Sequence, residues 1–588
     1  MALQVQGLVD WRGRPVDPRR HGGLKAVMFI YVLIVMTNMG NIPTMLNIVS
    51  YLHGTMHMGI ADASTTAANF YGAICVFSFL GAFISDSYIK RFYTILIFAP
   101  IEILASILNH SLSHQWFKGY MLLACQAHFP SLHPPPCDAA AGQCAAVSGR
   151  NLSLLRLGLY VIPLGEGALR VCGAALGGDQ FDGGEVGGDD PAAAAAAEAR
   201  GKASFFNWFA FCISLGGLVG LVLVVWVQNN EGWDLGFALA ALMALVAMAV
   251  VLAGLPFYRH RVPTGSPLTR ILQVFVAAFR KRNVTMPESL VEMQECSDGS
   301  TIELLDKTPD FKFLDKAAVD DGDRRRWSAC TVTQVEEAKI ILRMLPVFLT
   351  SVLGYVPIPL LLTFTVQQGG AMDTRLAGTS VPPASLFVVP IVFQMLILVA
   401  YDRAAVPWLR RATGYAAGVT HLQRVGLGFA SSAAALALAA AVESRRRRCL
   451  GVAAPAMSVF WLTPQFFLLG VMDVTSFVGL LEFFYSEASA GMKSIGGAVF
   501  FCILGVASWL GGALIQAVNR ATAGGAGHGG WLDGADLDAS HLDRFYWLLA
   551  VFELVAFFLY LYSAWRYTYR HHPRVQPSME DAKVPIVK

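Results

Sequence analysis

Charge is scarce in this chain, and what is missing narrows its chemistry before any fold is considered. Only 14% of residues are Asp, Glu, Lys or Arg, against roughly a quarter in an average soluble protein. No HExxH, no phosphate-binding glycine loop and no nucleophile elbow occurs, so no zinc-peptidase, nucleotide-hydrolysing or serine-hydrolase site can be assembled, and the chain does not read as an enzyme. The ten cysteines form no CxxC and no Cys/His cluster of metal-site spacing, so neither metal nor cofactor is implied. About half of them sit in apolar runs, where a thiol packs as a small hydrophobe. Cys137 and Cys144 fall in a polar loop placed outside the cell, where oxidising conditions permit a disulfide. The opening, MALQVQGLVDWRGRPVDPRRHGG, lacks the short apolar core of a cleavable signal, so the first apolar run is expected to insert by itself. A formal net charge of +3 gives no reason to expect a nucleic-acid partner.

What is abundant is apolar surface: 55% of residues are hydrophobic and the mean hydropathy is +0.51. Crossing a bilayer takes roughly 20 apolar residues, and about twelve runs of that length recur. Those of the first half lie near 25–51, 65–84, 92–126, 152–175, 204–227 and 233–257. Those of the second half lie near 338–365, 385–401, 422–442, 457–485, 497–518 and 545–565. The reading is an all-α protein dissolved in a lipid bilayer, with the six-plus-six layout of the major facilitator fold. It divides into a cytoplasmic tail (1–24), a six-helix bundle (25–257), a cytoplasmic linker (258–335), a second six-helix bundle (336–566) and a cytoplasmic tail (567–588).

Basic residues in short loops favour the cytoplasmic side. With the N-terminus inside, Lys90, Arg91, the linker, Arg410, Arg411, Lys493 and the tail from Arg570 all fall inside, while Arg445 to Arg448 would lie outside, against the rule. The third run is also irregular. Removing Ala105 to Lys118 leaves IEILGYMLLACQA, one continuous span, so the polar stretch reads as an insertion, such as an unspliced segment; a polar break lining a pathway is the alternative. Transcript sequencing across Ile103 to Leu122 separates the two.

Charges inside spans are the functional candidates, because a carboxylate at mid-membrane costs on the order of 2.5–3.5 kcal/mol and must face a cavity or a partner. Glu482 in the tenth run needs a cation. Arg170 in the fourth is the deepest one available in the other half, and two pairings compete for it. Glu166, one helical turn earlier, offers a local i,i+4 pair; a pair with Glu482 across a central cavity is favoured, because Glu482 otherwise has no evident cation. Asp473 lies nine residues before Glu482 and so on the opposite helix face, as a packing or gating residue. Phe477 and Trp461 are candidates to shape an apolar pocket. Glu102 and Glu553 read as buried structural acids. Asp86, Lys90 and Arg91, in the short loop after the second run, read either as a cytoplasmic latch or as an orientation signal.

Several segments carry a resemblance: VDWRGRPVDPRRHGG, GAFISDSY, QAHFPSLHPPPC, GDQFD, FFNWFAF, GWDLGF, VPTGSPLTRI, CTVTQVEEAK and GLLEFFYSEASAGMKS. On these the chain resembles, over nearly its full length, the plant nitrate and peptide transporter family within the proton-coupled oligopeptide transporters. It looks closest to the clade associated with abscisic acid, gibberellin and nitrate. The resemblance implies that Arg170 and Glu482 hold the family's fourth-span basic and tenth-span acidic positions. The first-span ExxER coupling motif aligns with Ile34, Thr37 and Asn38, so its charges are absent, and the seventh-span nitrate-binding histidine aligns with Ile358. The expected function is therefore a secondary transporter of a small organic anion, such as a carboxylate plant hormone, coupled to protons by alternating access. Nitrate or peptide transport, or a transport-dead sensor, are the alternatives. The plasma membrane, with the vacuolar membrane next, is the expected location, and a regulatory kinase a further candidate partner.

Overall fold

The computed structural model describes residues 8–17, 20–103, 120–134, 146–182, 191–263, 265–283, 308–319, 330–376, 379–380, 386–413, 418–450, 457–489, 492–523, 530–532 and 540–569. In the first half the helices are α1 (Gly23–Gly54), α2 (Ile60–Ser87), α3 (Arg91–Ile103), α4 (Tyr120–His128), α5 (Gly149–Asp179), α6 (Pro191–Asn230) and α7 (Trp233–Gly254). An amphipathic helix α8 (Pro267–Arg280) and a short α9 (Lys312–Asp315) follow in the polar middle segment. The second half holds α10 (Val332–Tyr355), α11 (Pro357–Gly370), α12 (Val388–Ala400), α13 (Val406–Thr413), α14 (His421–Leu450), α15 (Thr463–Met472), α16 (Val478–Glu487), α17 (Lys493–Thr522) and α18 (Leu542–Arg566).

Eleven stretches among the described residues are long and apolar enough to cross a membrane. The twelfth expected span is divided between α3 and α4, and the expected insertion, Ala105 to Lys118, lies outside the described residues. Both short helices pack on α5 and α7, as two pieces of one span would. Cys137, Cys144 and the tail from Arg570 also lie outside the described residues.

Small residues set the helix spacing. A Cβ on Gly167 would come within 2.6 Å of the Ile74 carbonyl on α2, so glycine is what lets α2 and α5 touch backbone to backbone. Two helices continue through a π-helical turn, Tyr401–Ala405 after α12 and Asp473–Phe477 between α15 and α16. Such a turn adds a residue to the helix and rotates everything beyond it.

The middle segment is tied to the bundles. Strand β1 (Leu8–Val9) pairs antiparallel with β2 (His260–Arg261), drawing the N-terminal segment to the end of α7. The α8 helix packs on α10, and Arg270 of α8 holds Glu337 of α10 at 3.2 Å. At the other end of the second half three of the four anomalous arginines have partners: Arg446 binds Glu443 at 2.8 Å, Arg447 binds Asp543 at 2.5 Å, and Arg445 stacks on the Trp461 ring at 4.5 Å. Glu443 in turn accepts from Gln368 at 2.8 Å, so its buried carboxylate is satisfied.

Candidate functional site

Between the two halves lies a cavity of about 230 Å³, walled by α1, α2, α5 and α6 on one side and α11, α12, α15, the second π turn and α17 on the other. Its walls are mainly apolar. Arg170 is the one basic residue among those described that lines it; Glu166 and Asp473 are its acids. Arg170 donates to Glu166 Oε1 from Nη2 at 2.9 Å and from Nε at 3.1 Å, and its guanidinium lies 5.8 Å from the Phe501 ring centre.

The expected Arg170–Glu482 pair is not made in this structure. Of the two pairings open to Arg170, the local one with Glu166 is present. Glu482 lies outside the cavity lining, 3.6 Å from His421 Nδ1 and 3.8 Å from Arg424 Nη1. Arg424 is the cation that the sequence reading missed. It sits in the first turn of α14, three residues after His421, donates to the Val474 carbonyl at 2.8 Å and stacks on Tyr401 at 4.3 Å. Its signal was available, as a lone arginine inside the opening turn of the apolar run 422–442.

Asp473 and Glu482 do point to different places, with Asp473 on the cavity. It opens the π turn whose Ser476 lies 3.0 Å from the Tyr355 hydroxyl on α10, and Phe477, ending that turn, lines the cavity beside it. Asp473 thus lines the cavity rather than packing away from it. Trp461 is not part of the cavity: it is 46% exposed near the outer end of the bundle, where Arg445 covers it. The positions matched to the absent first-span charges, Ile34, Thr37 and Asn38, all line the cavity, as does Ile358. Thr37 and Asn38 turn back onto their own helix, bonding the carbonyls of Leu33 at 3.0 Å and Ile34 at 2.8 Å.

Below the cavity, at the end where α2 meets α3, the halves are joined by a polar latch. Arg91 binds Asp86 at 3.1 Å and Asp179, and donates to Ser494 Oγ at 2.7 Å; the Ile495 amide donates to Asp86 at 3.1 Å. Of the expected latch residues, Asp86 and Arg91 meet there; Lys90 makes no ion pair among the described residues. GDQFD supplies the rest, since Asp182 takes Lys202 at 2.5 Å, Lys493 at 3.6 Å, and Arg261. Burial alone would raise the Asp182 carboxyl, but Lys493, Lys202 and Arg261 together outweigh it and hold it well below the usual carboxylate range. His260 stacks edge-on to Phe92, and burial, helped by the charge of Lys90, pushes its imidazole down to about 4. A second contact between the halves is apolar and shares part of the cavity wall: Ile42, Leu46, Leu221 and Val225 meet Leu362, Phe387, Val388 and Ile391.

This geometry has close counterparts. Residues 111–532 match the POT family (PTR2). The chain is 34% identical to Protein NRT1/PTR FAMILY 4.3 of Arabidopsis thaliana over 574 residues, covering 96% of this chain and 93% of that one. It is also 34% identical to NRT1/PTR FAMILY 4.6 of the same plant, covering 96% and 97%. Among solved structures, the POT family transporter PepTSo superposes with a TM-score of 0.62 at 16% identity, covering 94% of this chain and 99% of that one. A POT family transporter solved with 5-aminolevulinic acid gives 0.59 at 13% identity, covering 96% and 100%. The family match, the relatives of this similarity over the full length and the shared fold lead to one assignment: the chain belongs to the POT family, in its NRT1/PTR group, and is a multi-pass membrane transporter.

Proposed function

We propose that the chain carries a small organic anion, such as abscisic acid or a gibberellin, across the plasma membrane by alternating access, with proton uptake accompanying the anion. The carrying observation is the composition of the cavity: one guanidinium, held only by a neighbouring carboxylate, inside walls of Leu33, Ile34, Ile213, Leu469 and Phe477. A ligand site of apolar walls with few polar groups suits a solute that is itself mostly apolar with one anionic end. Nitrate would gain little from such walls, and Ile358 stands where the resemblance calls for a histidine. A peptide's amine finds no first-helix carboxylate, because Ile34, Thr37 and Asn38 occupy those positions.

The solute carboxylate takes Glu166's place on Arg170. A carboxylate left buried without its cation is costly, so Glu166 is neutralised by a proton as the anion binds, and the site keeps its charge. Opening of the latch while the apolar contact stays shut then releases the solute on the Arg91 side; the two gates alternate because the solute and proton bind the two states differently. The test is uptake of labelled abscisic acid, gibberellin and nitrate at acidic and neutral pH. Accumulation of a hormone, larger at acidic pH, is expected. Arg170→Ala should lower it by roughly 10- to 100-fold, the loss of about 1.5–3 kcal/mol of a charge-assisted bond. Undiminished accumulation in that variant sinks the reading, and binding without accumulation points instead to a sensor.

A further inference from the structure

We propose that Glu102 and Glu166, set side by side between α3 and α5 with the Asn41 amide against them, form a two-carboxyl proton site that answers to the anion on Arg170. This rests on the anion reading above and locates its proton. Three observations carry it. Glu102 is 1% exposed, and among the described residues neither of its carboxyl oxygens has a hydrogen-bond partner. Glu166, 2% exposed, places Oε1 on Arg170 and leaves Oε2 unpartnered. Asn41, 1% exposed, accepts from the Tyr120 hydroxyl through Oδ1, while its Nδ2, close to both carboxyls, completes no bond. A Cβ on Gly165 would lie 2.6 Å from the Glu102 Cβ, so the missing side chain at Gly165 is what brings the α3 acid against the turn of α5 that carries Glu166.

Charge counting gives the mechanism. Two buried carboxylates against one guanidinium would leave an uncompensated negative charge in the membrane interior, so one carboxyl holds a proton. With Glu166 committed to Arg170, the holder is Glu102. When an anion displaces Glu166 from Arg170, Glu166 takes a second proton from water in the cavity, which it lines and Glu102 does not. The site is neutral before and after, with one proton taken up per monoanion. The other groups facing it do not alter the count: Tyr120 from α4, Tyr71 and Cys75 from α2, which face Arg170, the Phe501 ring of α17, and Asp473, the cavity's other acid, which makes no ion pair with Arg170. On α7 the only ionisable side chain is Asp234 at its start, bound to His128 at 2.8 Å. No comparable group comes from the first helix, where Ile34, Thr37 and Asn38 are uncharged.

The experiment compares full-length wild type with Glu102→Gln and Glu102→Asp in proteoliposomes. In solute-free infrared spectra at neutral pH, a protonated-carboxyl band present in wild type should be lost in Glu102→Gln and retained in Glu102→Asp. In parallel, since Gln copies the protonated Glu102, the pH profile of labelled abscisic acid uptake should be kept in Glu102→Gln, whereas a Glu166→Gln variant, which removes the group that takes up the second proton, should lose its dependence on pH. An unchanged band in Glu102→Gln, or an undiminished pH dependence in Glu166→Gln, overturns the proposal. Loss of the band with no wild-type uptake of abscisic acid upholds the proton site and removes the anion reading.

Discussion

The latch and the cavity use the same residue types to opposite ends. Around Arg91 each buried carboxylate has a cation: Asp86 and Asp179 flank it beside Ser494, and Asp182 gathers three cations from α6, α17 and β2. Around Arg170 the accounting is left open, with an oxygen of Glu166, both oxygens of Glu102 and the Asn41 amide unbonded. A buried carboxylate paired with cations fixes a structure, whereas acids that share too few cations keep capacity for something that arrives and leaves. The latch therefore reads as a gate that opens as a unit and the cavity as a site that binds.

That contrast can be broken by mutation. Arg91→Ala should cost about 3–5 kcal/mol by stranding buried Asp86 and Asp179, measured as a fall in the detergent-solubilised melting temperature; a loss below about 1 kcal/mol would mean the latch carries no stability. A smaller effect, of about 2 kcal/mol after discounting, concerns pH. His260 is buried and favours the neutral form, its titration moved from 6.5 to about 4. The unfolded chain thus binds more protons between those values, and stability should fall as pH drops through that window and level off below it. His260→Phe should flatten that slope, and a slope unchanged in this variant would exclude His260 as its source. Phe477→Ala should weaken apparent solute affinity about fivefold, for roughly 1 kcal/mol of lost apolar contact, with melting little changed; an equal loss of stability would make Phe477 a packing residue. Trp461→Ala, outside the cavity, should leave uptake within about twofold, as expected of an exposed site. A larger loss would show that the solute path runs past the outer end of α15.

Much of this was legible in the residues. Long apolar runs fix transmembrane helices because an unbonded backbone in lipid is too costly, and the six-plus-six spacing follows from counting them. The candidacy of Arg170 and of Glu166 follows from the expense of an intramembrane charge. The partner was misassigned because the choice between Glu166 and Glu482 turned on the belief that Glu482 lacked a cation, and Arg424, at the start of α14, was read as part of an apolar run. Glu102 was read as a lone acid since nothing in the sequence places α3 against Gly165.

By itself, then, the sequence determined the solvent, the class of fold and the residues whose charge demanded an explanation, because those follow from transfer free energies that each segment carries alone. Which charges meet was decided only by the tertiary structure. Pairing depends on helix rotation, and that is set by contacts such as Gly165 on Glu102 and by a π turn at Asp473–Phe477, features that join residues far apart in the chain.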